Sequence, residues 1–253
     1  MKDKMVIKIY GDSLSLPRPQ DGVNYGDEYA LIVQRDLAAL RGAETVVYNR
    51  SKGGATVKDL ASSYRNDRNY MRAGGVVVIQ CGVVDCAPRP LPAFMRSVLG
   101  YAPGLFRKGA VGFLHRNRAG ILRAGLGTRL TSKKAFERIM KGWLEETAGQ
   151  EELVLVVNIA PTTEAMEEHS PGFQASIDHY NGIITESVES AHSDKVMLID
   201  VNGAIKKSGA VTDFVNRDDG HHITAKGHEL YAGLMIEKIP SFQDSDQEKN
   251  GGE

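Results

Sequence analysis

The chain has 253 residues, of which 42% are hydrophobic and 25% are charged, so it is long enough to bury a sizeable core. Its 31 basic and 32 acidic side chains give a net charge of -1, which excludes a whole-molecule electrostatic argument for nucleic acid. The two cysteines, Cys81 and Cys86, lack zinc-ligand spacing, and no apolar run has the length of a signal sequence or a membrane span. We therefore expect reduced thiols in a cytoplasmic protein with no nucleic-acid partner.

Short runs rich in β-branched residues alternate with helix-period segments along the chain, which is typical of βαβ units. The runs are apolar nearly throughout, as expected for strands buried on both faces of a parallel sheet. The predicted strands cover residues 6–10, 45–49, 76–81, 153–159 and 196–201, and the predicted helices cover 27–40, 57–72, 132–146, 172–191 and 225–238. This pattern predicts an α/β fold, a flavodoxin-like three-layer αβα sandwich with a five-stranded parallel sheet, in one domain over residues 1–240. In such folds the ligand crevice lies beyond the carboxyl ends of the strands.

Residues 87–134, which follow the third predicted strand, carry ten basic side chains and no acidic one. The segment is longer than an ordinary connection, so we interpret it as either a basic lid or a helical insertion. Its charge favours an anionic substrate, and apolar residues among the cations, such as Phe106 and Phe113, also fit contact with a membrane surface. A helical insertion whose apolar side packs on the core and whose arginines are solvated explains the same pattern. The last residues, 241–253, are polar and rich in charge and glycine, which predicts a disordered tail.

A serine stands directly after the first predicted strand, in the run Gly11-Asp12-Ser13-Leu14-Ser15. Glycine permits the sharp turn that would present the Ser13 hydroxyl at the edge of the sheet. Glycine, aspartate and serine are also common in turns that have no functional role.

A second polar run, from Asp218 to His222, precedes the last predicted helix. A serine hydroxyl is a weak nucleophile at neutral pH, so it needs a histidine base and a carboxylate that orients the imidazole. The spacing allows two pairs, Asp218 with His221 or Asp219 with His222, and an aspartate that only caps the last helix is a further interpretation. Both polar runs fall at strand-to-helix junctions on the same side of the predicted sheet, which favours a joint catalytic role.

These motifs resemble those of the SGNH or GDSL-type hydrolases, and the resemblance spans residues 5–239. The run at 11–15 resembles the family's first block, which carries the nucleophile, here Ser13. The run at 49–56 resembles the second block, whose glycine N–H donates to the oxyanion; this residue is Gly54, and the Ser13 N–H is the other backbone donor. The last block of the family, Asp-Gly-x-His followed by an aliphatic residue, selects Asp219 and His222 as acid and base.

The third block departs from the family pattern. The family usually has Gly-x-Asn-Asp after the third strand, with the asparagine amide as an oxyanion donor, but this chain has Gly82-Val83-Val84-Asp85. Since a valine cannot donate a hydrogen bond, another group must replace it or the reaction must need less stabilisation. Arg89 and Asn158, each at or beyond the carboxyl end of a strand, are the candidate substitutes, and together with Asp85 they are our candidate substrate-binding residues.

The resemblance implies a serine-dependent carboxylic ester hydrolase, an acylesterase or deacetylase, that needs no metal and no cofactor. The expected substrate is a small-molecule or glycan acyl ester, for instance an O-acylated or anionic glycan. Two alternatives stay open: an O-acyltransferase that uses the same site, and a catalytically inactive module that binds a glycan or a protein. The missing asparagine at Val84 favours either alternative, whereas the presence of serine, aspartate and histidine together favours an enzyme.

Overall fold

The computed structural model of the protein describes residues 4–41, 44–101 and 103–250. In this part of the chain, five strands form one sheet in the order β2-β1-β3-β4-β5, and every neighbouring pair is parallel. The strands are β1 (Met5–Gly11), β2 (Thr45–Asn49), β3 (Val76–Gln80), β4 (Leu153–Val157) and β5 (Val196–Ile199). Each of them lies within two residues of its predicted bounds. β3 and β4 are buried at every position, which explains their unbroken apolar sequences.

Helices connect the strands and cover both faces of the sheet. In chain order, those in the described residues are α1 (Tyr29–Arg41), α2 (Val57–Asp67), α3 (Val83–Cys86), α4 (Ala93–Gly100), α5 (Gly104–Arg116), α6 (Arg118–Arg123), α7 (Lys133–Ala148), α8 (Glu164–His169), α9 (Phe173–Ser190), α10 (Val201–Ser208), α11 (Val211–Phe214) and α12 (Ala225–Asn250). None of these helices is long and apolar enough to pass through a bilayer.

Two apolar clusters lie on opposite faces of the sheet. Side chains alternate between the faces along a strand, so that Ile9 of β1 belongs to one cluster and its neighbour Tyr10 to the other. Helices α1, α10 and α12 contribute to the cluster that contains Ile9, and α2, α7 and α9 contribute to the cluster that contains Tyr10. The predicted three-layer αβα sandwich is therefore confirmed.

The basic segment at 87–134 contains the three helices α4, α5 and α6, so it is a helical insertion after β3. Whether it also closes over a site as a lid stays a prediction. The limits of the predicted domain, 1–240, stay a prediction too. Residues 241–250 of the predicted tail continue α12, although the side chains of 240–250 are not described, and residues 251–253 lie outside the described part of the chain. The predicted disorder of this tail stays a prediction.

Candidate active site

The predicted nucleophile lies on a tight turn at the carboxyl end of β1. The strand ends at Gly11, and Ser13–Ser15 form one turn of 3-10 helix immediately after it. Asp12 caps this turn, because its carboxylate accepts a hydrogen bond of 2.9 Å from the Leu14 N–H. A Cβ on residue 11 would overlap the Ser15 hydroxyl, so glycine is required for the approach. The turn leaves Ser13 half-buried, with its hydroxyl available to a partner.

The predicted acid and base lie on the loop before α12. The Asn216 N–H donates to the carbonyl of His222 at 2.7 Å and closes this loop. One oxygen of Asp219 accepts from the backbone N–H of His222 at 2.9 Å and from that of His221 at 3.1 Å. Gly220 packs so closely on Met166 of α8 that a side chain at residue 220 would overlap it. These contacts hold the Asp219 carboxylate and the His222 ring in one orientation.

The loop and the turn meet in a continuous chain of hydrogen bonds. The Nδ1 atom of His222 lies 2.7 Å from the second oxygen of Asp219, and its Nε2 atom lies 2.9 Å from the Ser13 Oγ. An ionised carboxylate only accepts, so Nδ1 donates to it and Nε2 keeps the lone pair that accepts from the Ser13 hydroxyl. This geometry suits the predicted roles of Ser13 as nucleophile, His222 as base and Asp219 as orienting acid.

The other histidine of the loop contacts the loop itself. The Nδ1 atom of His221 lies 2.8 Å from the Asp219 carbonyl oxygen, and its ring packs against the ring of His222 with centroids 4.2 Å apart. Asp218 is exposed, and its backbone N–H donates to the Asn216 side chain. Of the two registers open from the sequence, the structure thus brings the Asp219 and His222 register to Ser13.

The charge state of Asp219 suits the role of orienting acid. Burial raises the pKa of this carboxyl, but hydrogen bonds from the His222 ring and from the two backbone N–H groups outweigh burial and hold the pKa well below its usual range. Burial, together with the neighbouring His222, lowers the pKa of His221. At neutral pH the loop therefore carries a carboxylate beside a neutral His221.

Arg18 is part of the site, although the sequence reasoning missed it. Its Nη1 atom lies 3.3 Å from the Nε2 of His222, and its Nη2 atom lies 3.8 Å from the Asp219 carboxylate. Its Nε donates to Asp21, which holds the guanidinium toward Asp219 and His222. The residue belongs to no motif. The one sequence signal that could have identified it is its position five residues after Ser13, in the same loop.

The second block lies beside the nucleophile turn, and the third block forms the start of α3. The Lys52 N–H donates to the Gly11 carbonyl at 2.9 Å, which ties the loop containing Gly54 to the end of β1. Gly54 is exposed with a φ of 74°, a conformation that favours glycine. Val84 is half-buried in α3 and packs against the core. A valine side chain has no hydrogen-bond donor, so this position cannot supply the asparagine's hydrogen bond.

The three candidate substrate-binding residues bond to groups outside the Ser13, His222 and Asp219 chain. Asp85 is fully buried; it accepts from the Val57 N–H at the start of α2 and from the Thr131 hydroxyl, and burial raises its pKa to about 6. The Asn158 amide donates to Asp200 and its oxygen accepts from the Asn202 N–H. The Arg89 guanidinium lies 3.4 Å from the Val84 carbonyl oxygen. Their part in substrate binding stays a prediction.

A buried polar layer lies beneath the nucleophile turn. The Ser15 hydroxyl donates to the Gln80 side chain at 2.8 Å and also contacts the Tyr29 hydroxyl. Asp12 is fully buried there, and one of its oxygens has no hydrogen-bond partner among the described residues. Burial raises the pKa of Asp12 to about 7, although the bonds from Leu14 and Gln80 oppose this.

A metal ion has one candidate position in the described residues. Ligand atoms of Asp219, His221 and His222 lie within 4.8 Å of one another. The Asp219 oxygen and the His222 Nδ1 in this group are already bonded to each other. A cation there would compete with that hydrogen bond, so the donor set does not fit a metal and a working triad together.

The known proteins that this chain resembles are found among solved structures. No protein-family model matches the sequence, and no curated protein matches it. The structure of a lipase/acylhydrolase from Enterococcus faecalis is 17% identical, with a TM-score of 0.60, over 93% of this chain and 95% of that chain. A member of the lipolytic protein G-D-S-L family from Veillonella parvula is 12% identical, with a TM-score of 0.60, over 93% and 98% of the two chains. An acetylxylan esterase from Geobacillus stearothermophilus is 16% identical, with a TM-score of 0.61, over 94% and 96%.

This chain has the fold of those hydrolases. The matches extend over nearly the whole of each chain. The architecture of these hydrolases is therefore the one that the sequence blocks imply for this chain. Since one fold hosts many activities, the function must be argued from the site.

Proposed function

We propose that the chain is a serine-dependent carboxylic ester hydrolase that works through an acyl-enzyme on Ser13. The observation that carries this proposal is the hydrogen-bonded chain from the Ser13 Oγ through His222 to Asp219, with distances of 2.9 and 2.7 Å. Both distances suit proton transfer between a nucleophile and its base. The solved structures with this fold include esterases and an acylhydrolase, which supports the same reaction class.

In the first half-reaction, the Ser13 Oγ attacks the ester carbonyl carbon while its proton passes to the Nε2 of His222. The resemblance assigns the backbone N–H groups of Ser13 and Gly54 to the oxyanion. The protonated His222 then gives its proton to the leaving alcohol as the carbon–oxygen bond breaks. Asp219 stays ionised throughout and stabilises the imidazolium. Water, activated by the same nitrogen, releases the acid and restores the serine.

The position of Arg18 favours an anionic alcohol portion in the substrate. The Nε2 of His222 hands its proton to the leaving oxygen, so the guanidinium 3.3 Å from Nε2 lies beside that portion of the ester. A guanidinium binds carboxylates and phosphates through paired N–H donors. Asp21 holds the Nε side of Arg18, and the two Nη atoms, 3.3 Å from His222 and 3.8 Å from Asp219, face the site. An acidic glycan or a phosphorylated alcohol carrying an acyl group fits this arrangement.

Arg18 also competes with the nucleophile for its base. The Nε2 of His222 has one lone pair, which faces both the Ser13 hydroxyl and the Arg18 Nη1. An anionic group on the substrate would draw the guanidinium to itself and leave the lone pair to Ser13. Substrate charge would thereby promote the first proton transfer.

Acyl transfer is the second candidate, and Val84 favours it. The side chain that would supply a third oxyanion donor is absent, and such a loss slows the chemical step by about a hundredfold to a thousandfold. A transferase would use the same Ser13 acyl-enzyme, with a sugar hydroxyl in place of water. The buried free thiols of Cys81 and Cys86 agree with a cytoplasmic location for either enzyme.

Turnover of chromogenic short-chain esters, with and without a sugar acceptor, tests the proposal. We expect the protein to release the chromophore and to carry one acyl group by intact mass. Ser13→Ala should abolish both, whereas Ser62→Ala, at an exposed position of α2, should change neither. Full activity in Ser13→Ala would overturn the proposal. No turnover of any ester or acyl donor would favour the inactive binding module, and acylated sugar as the main product would favour the transferase.

A further inference from the structure

Helix α5 of the insertion exposes a large apolar face. No residue of the 13-residue helix is buried. Leu105, Phe106 and Phe113 lie on one side of it, and they are 89%, 68% and 58% exposed. Contiguous apolar surface of this kind marks an interaction site, because leaving it in water costs free energy.

The opposite face of α5 points toward the protein. Val111 and Leu114 line a cavity of about 350 Å³, together with Leu99 of α4 and Arg118 of α6. The helix is thus anchored on one side by few contacts, and the side with the two phenylalanines faces outward. Packing within the described part of the chain does not account for this apolar face.

The charge around this face selects the kind of partner. Over residues 87–134 the chain has ten basic side chains and no acidic one. Lys108 and Arg116 of α5 are exposed beside the apolar face. A second copy of the chain would bring like charges together, which opposes association. Nucleic acid would satisfy the cations but would leave the leucine and the phenylalanines in water.

We propose that α5 binds the surface of an anionic lipid bilayer. Leu105, Phe106 and Phe113 enter the boundary between headgroups and acyl chains, while Lys108 and Arg116 contact the lipid phosphates. A helix with basic and apolar side chains in this arrangement lies in the plane of the interface. This binding does not depend on the proposed esterase activity.

The inward side of the insertion contacts helix α8, which also contacts the loop of Asp219 and His222. Arg118 of α6 donates to the Ser170 hydroxyl at 2.9 Å, which joins the insertion to the end of α8. The ring of His115 in α5 also packs against that of His169, with centroids 5.3 Å apart. Because α8 also contacts Gly220, the neighbour of Asp219, the insertion is linked through α8 to the catalytic loop.

Co-sedimentation of the full chain with vesicles tests the proposal. The two probes are vesicles of phosphatidylcholine alone and vesicles of phosphatidylcholine and phosphatidylglycerol in equal parts. We expect the mixed vesicles to bind at least about tenfold more strongly, since each basic side chain near an anionic surface contributes about fivefold. Raising the salt concentration should weaken this binding.

Three variants separate the apolar and ionic contributions. A chain with Leu105→Ser, Phe106→Ser and Phe113→Ser should bind the mixed vesicles about a hundredfold more weakly. A chain with Lys108→Glu and Arg116→Glu should lose its preference for anionic lipid. Tyr70→Ser replaces an apolar residue that is 89% exposed beyond the end of α2, and it should bind as the unmodified chain does.

The comparison of the two vesicles uses the unmodified protein, so it decides the question even if a variant misfolds. Equal binding to both vesicles, or binding to neither, would overturn the proposal. Unchanged binding by the triple serine variant, with an unchanged melting curve, would also overturn it. A dimer that this variant abolishes, without vesicle binding by the unmodified chain, would assign the face to self-association instead.

Discussion

Replacing Asp219 by asparagine changes the proton position on His222 while leaving the loop in place. In the native site one carboxylate oxygen accepts from the backbone N–H groups of His221 and His222, and the other accepts from the His222 Nδ1. In Asp219→Asn the amide oxygen can keep the two backbone bonds. The amide nitrogen must then face Nδ1 and donate to it, because an N–H cannot accept.

This reversal places the imidazole proton on Nε2, the atom 2.9 Å from the Ser13 hydroxyl. The nitrogen that should accept the serine proton is then a donor, and the first proton transfer is blocked. We expect kcat to fall by about four orders of magnitude, or about 5.5 kcal/mol of transition-state stabilisation, as for other triads with this substitution. The KM should change little, because Asp219 does not bind the substrate.

Steady-state hydrolysis of a chromogenic ester measures both constants. Asp218→Asn is the matched control, since Asp218 is exposed, lies one residue away and belongs to the other register. It should keep the native kcat, and both variants should melt close to the native protein. A kcat within about tenfold of native in Asp219→Asn, or an equal loss in both variants, would refute the assigned tautomer.

Three further substitutions test separate parts of the site. Arg18→Gln should raise KM about tenfold or more for an ester with a carboxylate or phosphate on its alcohol portion, and leave KM for a neutral ester unchanged; equal KM changes for both would contradict the anionic subsite. Val84→Asn should raise kcat by up to about a hundredfold if residue 84 faces the oxyanion, and an unchanged kcat would place that position outside the hole. The pKa of Asp12 is raised to about 7 from 3.8, so between these pH values the folded state keeps a proton that the unfolded state has released. The free energy of unfolding should therefore fall as the pH rises from 4 to 7, by up to about 4 kcal/mol from this group, and urea titrations of Asp12→Asn should lack that part of the fall.

The fold was largely predictable because its signal is local. The buried strands β3 and β4 are apolar at nearly every position. Such a run predicts a buried strand without any information about the strands that pair with it. The end of β5 was predicted two residues late. There the Asp200 side chain accepts from the Gly203 N–H and starts α10, which turns the chain before Val201 can extend the strand.

The bounds of the helices in the insertion were harder to predict, because their local sequence signal is weak. Helix α5 buries no side chain, contains three glycines and carries apolar residues on two sides, so it lacks the single buried apolar stripe by which a core helix is recognised. Length and charge alone indicated either a basic lid or a helical insertion. Its bounds became available only from the structure.

The hydrogen-bonded arrangement of Ser13, His222 and Asp219 was predictable through short motifs, whereas the surrounding side chains depend on tertiary contacts. Arg18 and His222 are 204 residues apart in sequence, so no local pattern connects them. Asp85 and Asn158 were chosen because they follow strands. Their partners, Thr131 and Asp200, come from other segments, and position along the chain could not identify them.

Labelling with a fluorophosphonate, followed by mass mapping of the labelled peptide, tests the central claim most directly. We expect the label on Ser13 in the unmodified protein and in His221→Ala, and its loss in His222→Ala. This result requires the Ser13 hydroxyl to be activated by the one imidazole that lies 2.9 Å away. Labelling at another residue, or equal loss in both histidine variants, would contradict the account.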